Sequence, residues 1–324
     1  MRTALAVVMV AACSSDGGGG GAPVYGANGP FFDTQMFFDQ DVSGTSPASN
    51  SDAIISSLRA AGGWGNGDKM QIDFSLVVLG ADASTPKKTF TPNQDFYRPD
   101  CDNQPVPIPS GGNIEGGDGY ACDGGDCHLL VFDADEHALY EMYKADLTGD
   151  TFSGGCLAVW HTQMSYGDTL RGDQCTSADA AGFPMSPLLF TADEVAAGSI
   201  DHAIRFIVPN DRIQRGYVRP ATHGTDTDGD ANAPYYGVHL RLRADYPIES
   251  LPSEGAKVVA RAMQKFGMYH ADGGNIALTA QSDKYSTATW DGLLDAHDLV
   301  DLAVEDFDVI DHGAPIELTL DCNR

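Results

Sequence analysis

His128-Leu129-Leu130-Val131-Phe132-Asp133, then Ala134-Asp135-Glu136-His137, then Ala138-Leu139-Tyr140-Glu141-Met142-Tyr143 is the stretch that decides the fold class. Two short runs rich in aliphatic and aromatic residues flank a polar four-residue connection, which reads as a β-hairpin. Similar runs recur on both sides of it. Residues 70–79 begin with strict alternation of apolar and polar side chains. Strand signals follow at 156–160, 202–208, 238–244, 307–310 and 316–320.

Helix signals are fewer. Ser51 precedes residues 52–61, which stop at Gly62-Gly63. Thr191 and Glu194 have capping-box spacing, with Gly198 as the stop. Ser253 can cap a helix to about Phe266, with Val258, Val259, Ala262 and Phe266 on one face. Many short strands, Gly/Pro-rich turns and three peripheral helices predict a mainly β protein: an antiparallel, jelly-roll-like β-sandwich.

The chain has 324 residues, 19 Lys plus Arg and 46 Asp plus Glu, a net charge of −27. Such a surface repels nucleic acid, because it offers few cations to displace counterions from a polyanion. It also repels anionic headgroups. Contact with a membrane is therefore expected only through an anchor. Residues 1–12 read as a short export signal, with Arg2 before an apolar run. They end at Val10-Ala11-Ala12-Cys13, which resembles a bacterial lipoprotein signal, so Cys13 is the expected lipidation site. Residues 13–29, with glycines 17–21, read as a tether. Residues 30–324 read as a single domain at the cell envelope.

Without Cys13, six cysteines remain, an even set that suits three disulfides in an exported chain. Six allow 15 pairings. Proximity favours Cys122–Cys127 and Cys156–Cys175, which leaves Cys101–Cys322. A zinc site at Cys122, Cys127 and His128 is disfavoured, because no second ligand pair at finger spacing completes it.

Candidate chemistry is dispersed. On strand 238–244, His239, Arg241 and Arg243 share the polar face, a pattern suited to an anionic or polyhydroxyl ligand. Arg205 lies among apolar neighbours and needs a carboxylate if buried, with Asp179 and Asp201 as candidates. Asp179 sits on a compact loop, 175–184, and Glu115 on a Gly-rich one; both are candidate acids or bases. His202 and His223 are candidate proton acceptors, and His128 a candidate ligand contact. Asp226, Asp228 and Asp230 alternate like a calcium loop, although Ala231 replaces the sixth-position Gly and Gly237 the terminal Glu. GxSxG, HExxH, Walker and GxGxxG motifs are absent.

Four segments carry a family likeness: the hairpin 128–143, the loop 175–182 with strand 201–206, residues 217–223, and helix 258–267 followed by Ala271-Asp272-Gly273. Together they resemble a widespread group of secreted bacterial proteins without established activity. The resemblance implies one exported domain over roughly residues 120 to 312 and no catalytic residues. The expected function is action on polysaccharide. As a hydrolase, Glu115 and Asp179 would be the carboxylate pair. As a lyase, His202 or His223 would take the proton while Arg241 and Arg243 neutralise a uronate. The alternative is a non-catalytic surface protein that binds a glycan or another protein.

Overall fold

At Val77 the chain leaves one β-sheet and enters another. The computed structural model describes residues 25–324. The export signal and Cys13 lie outside the described residues. The alternating run that begins at Met70 divides into β1 (Ile72–Leu76) and β2 (Val78–Ala81). Asp73 causes the break. Its carboxylate accepts from the N–H and Oγ of Ser75, at 2.9 and 3.0 Å, a local turn that competes with strand pairing. The register of β1 shifts between Asp73 and Leu76 as a result.

Eight further strands complete the two sheets: β3 (Leu129–Asp133), β4 (Ala138–Met142), β5 (Leu157–His161), β6 (Ile204–Val208), β7 (His239–Leu242), β8 (Met268–Gly273), β9 (Leu278–Gln281) and β10 (Phe307–Ile310). The larger sheet runs β1-β9-β6-β8-β7-β10 and the smaller β5-β4-β3-β2. The hairpin β3–β4 pairs as expected, from Leu129 opposite Met142 to Asp133 opposite Ala138. Its turn is held by Asp133 Oδ1, which accepts from the N–H groups of Asp135 and Glu136.

The protein is mainly β, with two principal sheets and few helices, in keeping with the sandwich expected. Its ladders are mixed, however, where uniformly antiparallel ones were expected. β1–β9, β2–β3 and β6–β8 run parallel. A parallel pair needs a long connection, and β6 reaches β8 only after the chain has passed through β7 and a helix. The signal at 316–320 yields one bridge, Tyr217 to Ile316.

Four helices occur among the described residues: α1 (Ser51–Ala60), the single turn α2 (Gly65–Asp68), α3 (Ala192–Ala197) and α4 (Glu254–Lys265). Thr191 and Glu194 form the expected capping box, and Gly198 ends α3 at φ +90°. Ser253 caps α4 through the N–H of Ala256. The four apolar residues expected to share a face of α4 are all buried. No described helix is long and apolar enough to cross a membrane.

The larger core lies against the large sheet. Trp64 is fully buried there, edge-on to Phe206 and Phe307, and its Nε1–H donates to Leu302 O at 2.7 Å. Burying an indole contributes roughly 5 kcal/mol. A polar clamp ties the small sheet to the segment 183–186. The buried Glu141 carboxylate on β4 accepts from Trp160 Nε1, Met185 N, Ser186 N and Ser186 Oγ, at 2.7–3.0 Å. Four donors compensate an acid that burial would otherwise make costly.

The disulfides are Cys101–Cys156, Cys122–Cys127 and Cys175–Cys322. Only the short loop follows sequence proximity. The other two expected pairs are corrected, because folding brings residue 156 beside residue 101 and the C-terminus beside the loop that starts at Cys175. The expected tether also ends earlier than residue 29. Gly26 bridges Leu79, and the N–H of Ala27 donates to Val78 O at 2.8 Å, so residues 25–29 belong to the folded body.

Candidate active site

Loop 175–184 is short of bulky side chains and tied down at several points. Cys175 is bonded to Cys322, Ser177 Oγ donates to Phe183 O, and the N–H of Asp179 donates to Ser177 Oγ. This scaffold aims Asp179 inward, against β6. Arg205 on β6 meets it with two hydrogen bonds, Nη2–Oδ1 at 2.9 Å and Nε–Oδ2 at 3.3 Å, and gives Nη1 to Thr279 Oγ1 at 2.7 Å. Of the two carboxylates that could serve Arg205, the fold supplies Asp179. Burial opposes the charge on Arg205, but Asp179 outweighs it and holds the guanidinium above its ordinary value. Burial pushes Asp179 above the usual carboxylate range, with Arg205 opposing it.

A second ion pair braces the same loop from behind. His128 Nδ1 lies 2.7 Å from Glu115 Oε2, and Nε2 lies 3.2 Å from Ala178 O. Both ring nitrogens face acceptors, so the ring carries two protons and a positive charge. Burial works against that charge; the Glu115 hydrogen bond and carboxylate prevail and raise the His128 pKa. Burial likewise works to raise Glu115, but His128 brings it down to about 2. Glu115 is therefore a committed counter-ion and does not line the cleft described next.

That cleft, of about 660 Å³, opens between residues 95–100, the loop at 176–180, residues 223–225 and the end of β8. Asp179 forms part of its wall, and Asp272 on β8 stands beside it. Asp272 Oδ1 accepts from the N–H of Gly273 at 2.7 Å, and Oδ2 has no partner among the described residues. Burial and the nearby charge of Asp179 push Asp272 up to about 7, with Arg205 opposing. A carboxyl that titrates near neutrality in a cleft can carry a proton to a substrate and give it up there.

Asp272 was not among the sequence candidates. Its segment, Ala271-Asp272-Gly273, was visible only as part of a family likeness. Met268–Gly273 has no alternation to mark it as a strand, because apolar and polar residues alike are covered: His270, fully buried, lies against the rings of Phe206 and Tyr236.

His223 lines the same cleft. Its Nδ1 lies 2.8 Å from Ala180 O, so that nitrogen holds the proton and Nε2 is left bare. Burial lowers its pKa and keeps the ring neutral. Tyr143, at the end of the hairpin, completes the wall. Its phenol is pushed up to about 12 by burial and by Asp126, Asp95 and Asp272.

The other candidates lie elsewhere. His202 pairs with Glu194 at 3.2 Å and borders a separate cleft of about 350 Å³. His239 is buried, stacks on Tyr269 at 4.0 Å and bonds Phe266 O. Arg241 is buried, bonded to the carbonyls of Val42 and Thr45 and to Asp308. Arg243 pairs with Asp245 at the surface. The face of β7 expected to hold a ligand is covered by residues 42–45 instead. The three aspartates of the calcium-like run do not converge among the described residues. Asp226, Asp228 and Asp230 are exposed, and Asp226 pairs with Arg215 at 2.9 Å. Among the described residues the one convergent set of potential ligand atoms is Asp100 with Cys175 and Cys322, whose sulfurs are bonded to each other.

No family model, curated protein or solved structure matches this chain.

Proposed function

We propose that this is an exported, envelope-tethered enzyme that hydrolyses polysaccharide, with Asp272 as its acid. The observation that carries the reading is a carboxyl brought to about 7 on the wall of a 660 Å³ cleft, beside an ion-paired carboxylate. Export is supported by the N-terminal signal and by three disulfides, which persist in oxidising compartments.

In this reading Asp272 donates its proton to the glycosidic oxygen as the bond breaks. Asp179, fully buried and ion-paired with Arg205, supports the wall from behind. It also keeps Asp272 protonated, since two adjacent carboxylates resist ionising together. His223 Nε2 accepts a proton from the attacking water. The lyase variant loses its rationale, because Arg241 and Arg243 lie away from His223 and cannot neutralise a uronate there.

A glycan-binding protein without catalysis is the second reading. It is favoured by the aromatic rim of the cleft, where Tyr97 is 55% exposed beside Phe96 and Tyr143. One experiment separates the two. The purified protein is incubated with a panel of polysaccharides, and new reducing ends and retention in affinity gels are recorded for wild type and Asp272→Asn. New ends that vanish in the variant support the hydrolase. Retention by both without new ends supports the binding protein. Neither signal on any glycan sinks both.

A further inference from the structure

We infer that the cleft selects glycans bearing free amino groups, an inference that rests on the hydrolase reading. Its lining carries five carboxylates, Asp95, Asp100, Asp126, Asp179 and Asp272, against Arg98 and the neutral His223. Two of the five are committed internally. Asp179 is neutralised by Arg205, and Asp100 Oδ2 accepts from the N–H of Thr176. Arg98 is an exposed cation of the rim, its guanidinium 5.1 Å from the centre of the Phe96 ring.

Asp95 and Asp126 are left to face the cleft as charges, beside Asp272, which its role as the acid requires to be protonated. The nearest cation to Asp126 is Lys144 Nζ at 3.9 Å, and neither Asp95 nor Asp272 has an ion-pair partner among the described residues. All three acids line one cleft together with Tyr143. Asp272 is partly exposed on the cleft wall, and its Oδ2 has no partner among the described residues.

A neutral sugar would offer these carboxylates hydroxyl donors but no compensating charge. A polyanion would be repelled outright. A protonated amine supplies both charge and up to three donors, and an aromatic ring beside it adds a cation–π contact. The net charge of −27 steers the same class of substrate inward. A polymer of glucosamine with free amines has this chemistry.

The test compares three probes at about pH 6, where a primary amine is protonated: glucosamine oligomers with free amines, the same oligomers fully N-acetylated, and polygalacturonate. Reducing ends give kcat and KM, and calorimetry gives affinity. The amine oligomer is expected to bind about tenfold or more tightly than its acetylated counterpart, with the advantage shrinking as salt is raised. Asp95→Asn with Asp126→Asn is expected to raise KM for the amine oligomer about tenfold and to narrow the gap between the two. Equal or better use of the acetylated oligomer, or any cleavage of polygalacturonate, would overturn the amine inference and leave the hydrolase reading intact. Failure to bind or cleave any of the three, with activity on another neutral glycan, would do the same. No activity on any glycan would remove the hydrolase reading and this inference with it.

Discussion

Arg205 on β6 and Arg241 on β7 are two buried arginines in one sheet, each on a strand whose alternation flags it, and they end in opposite situations. Residues 42–45 lie over Arg241, which is bonded to carbonyl oxygens at 2.8 and 2.5 Å and to Asp308 at 3.1 Å. Arg205 faces loop 175–184 and has Asp179 as its counter-ion, and that carboxylate borders an open cleft beside an acid that titrates near 7. An arginine on a sheet face is thus a structural strut or part of a site according to what the rest of the chain lays over it. Strand periodicity identifies the face and says nothing of its cover.

The largest expected effect tests the open side of this comparison. Asp272→Asn is nearly isosteric and should lower kcat/KM on a cleaved glycan by about 10²–10⁴-fold, the usual worth of a positioned acid. The wild-type rate should fall as pH rises above about 7, where Asp272 gives up its proton, and the residual rate of the variant should lack that limb. A variant with full activity would remove Asp272 from the mechanism and leave the cleft a binding groove.

Next in size is the loss of each arginine. Arg205→Ala strands Asp179 as a fully buried, unpaired carboxylate, which should cost about 3–5 kcal/mol in denaturant unfolding. Lowering the pH should restore part of that loss, because Asp179 is then protonated. Arg241→Ala removes donors from carbonyls and from a partly exposed Asp308, for about 1–3 kcal/mol. The folded fraction of Arg241→Ala should retain its kcat/KM. Loss of activity in a folded Arg241→Ala protein would break the contrast between the two sites.

Much of this was legible because it is local. The hairpin 128–143 needs only alternation and a turn, and the α3 capping box needs only residues 191–198. The pairing of Arg205 with a carboxylate was also legible, since a buried cation must find one. What the sequence hid depends on distant approach. Asp272 acquires its character from Asp179, which arrives from another loop. Cys101–Cys156 joins the loop before the hairpin to the edge strand after it, and nearness along the chain is a poor guide to that. Val77 looked like the middle of one strand because the hydrogen bonds from Ser75 to Asp73 leave no mark on hydrophobic periodicity.

The smallest effect concerns the brace behind the site, and its sign differs on the two sides of neutrality. Glu115 is held at about 2 in the folded protein, below its ordinary 4.5. Its contribution is present above about pH 4.5 and is lost as pH falls from there toward 2, on the order of 1–3 kcal/mol. His128 is shifted the other way, upward from 6.5. Its contribution is complete below about pH 6.5 and is lost as pH rises through the folded value. Stability measured by denaturant titration should therefore form a plateau between about pH 4.5 and 6.5 and decline on both sides from this pair. In His128→Gln the decline toward alkaline pH should flatten, since no imidazolium remains to be discharged. The acid limb should shrink as well, because Glu115 then has no charged partner to keep it ionised. An unchanged alkaline limb would mean that His128 enters the fold neutral, and no ion pair would then brace the loop carrying Asp179 from behind.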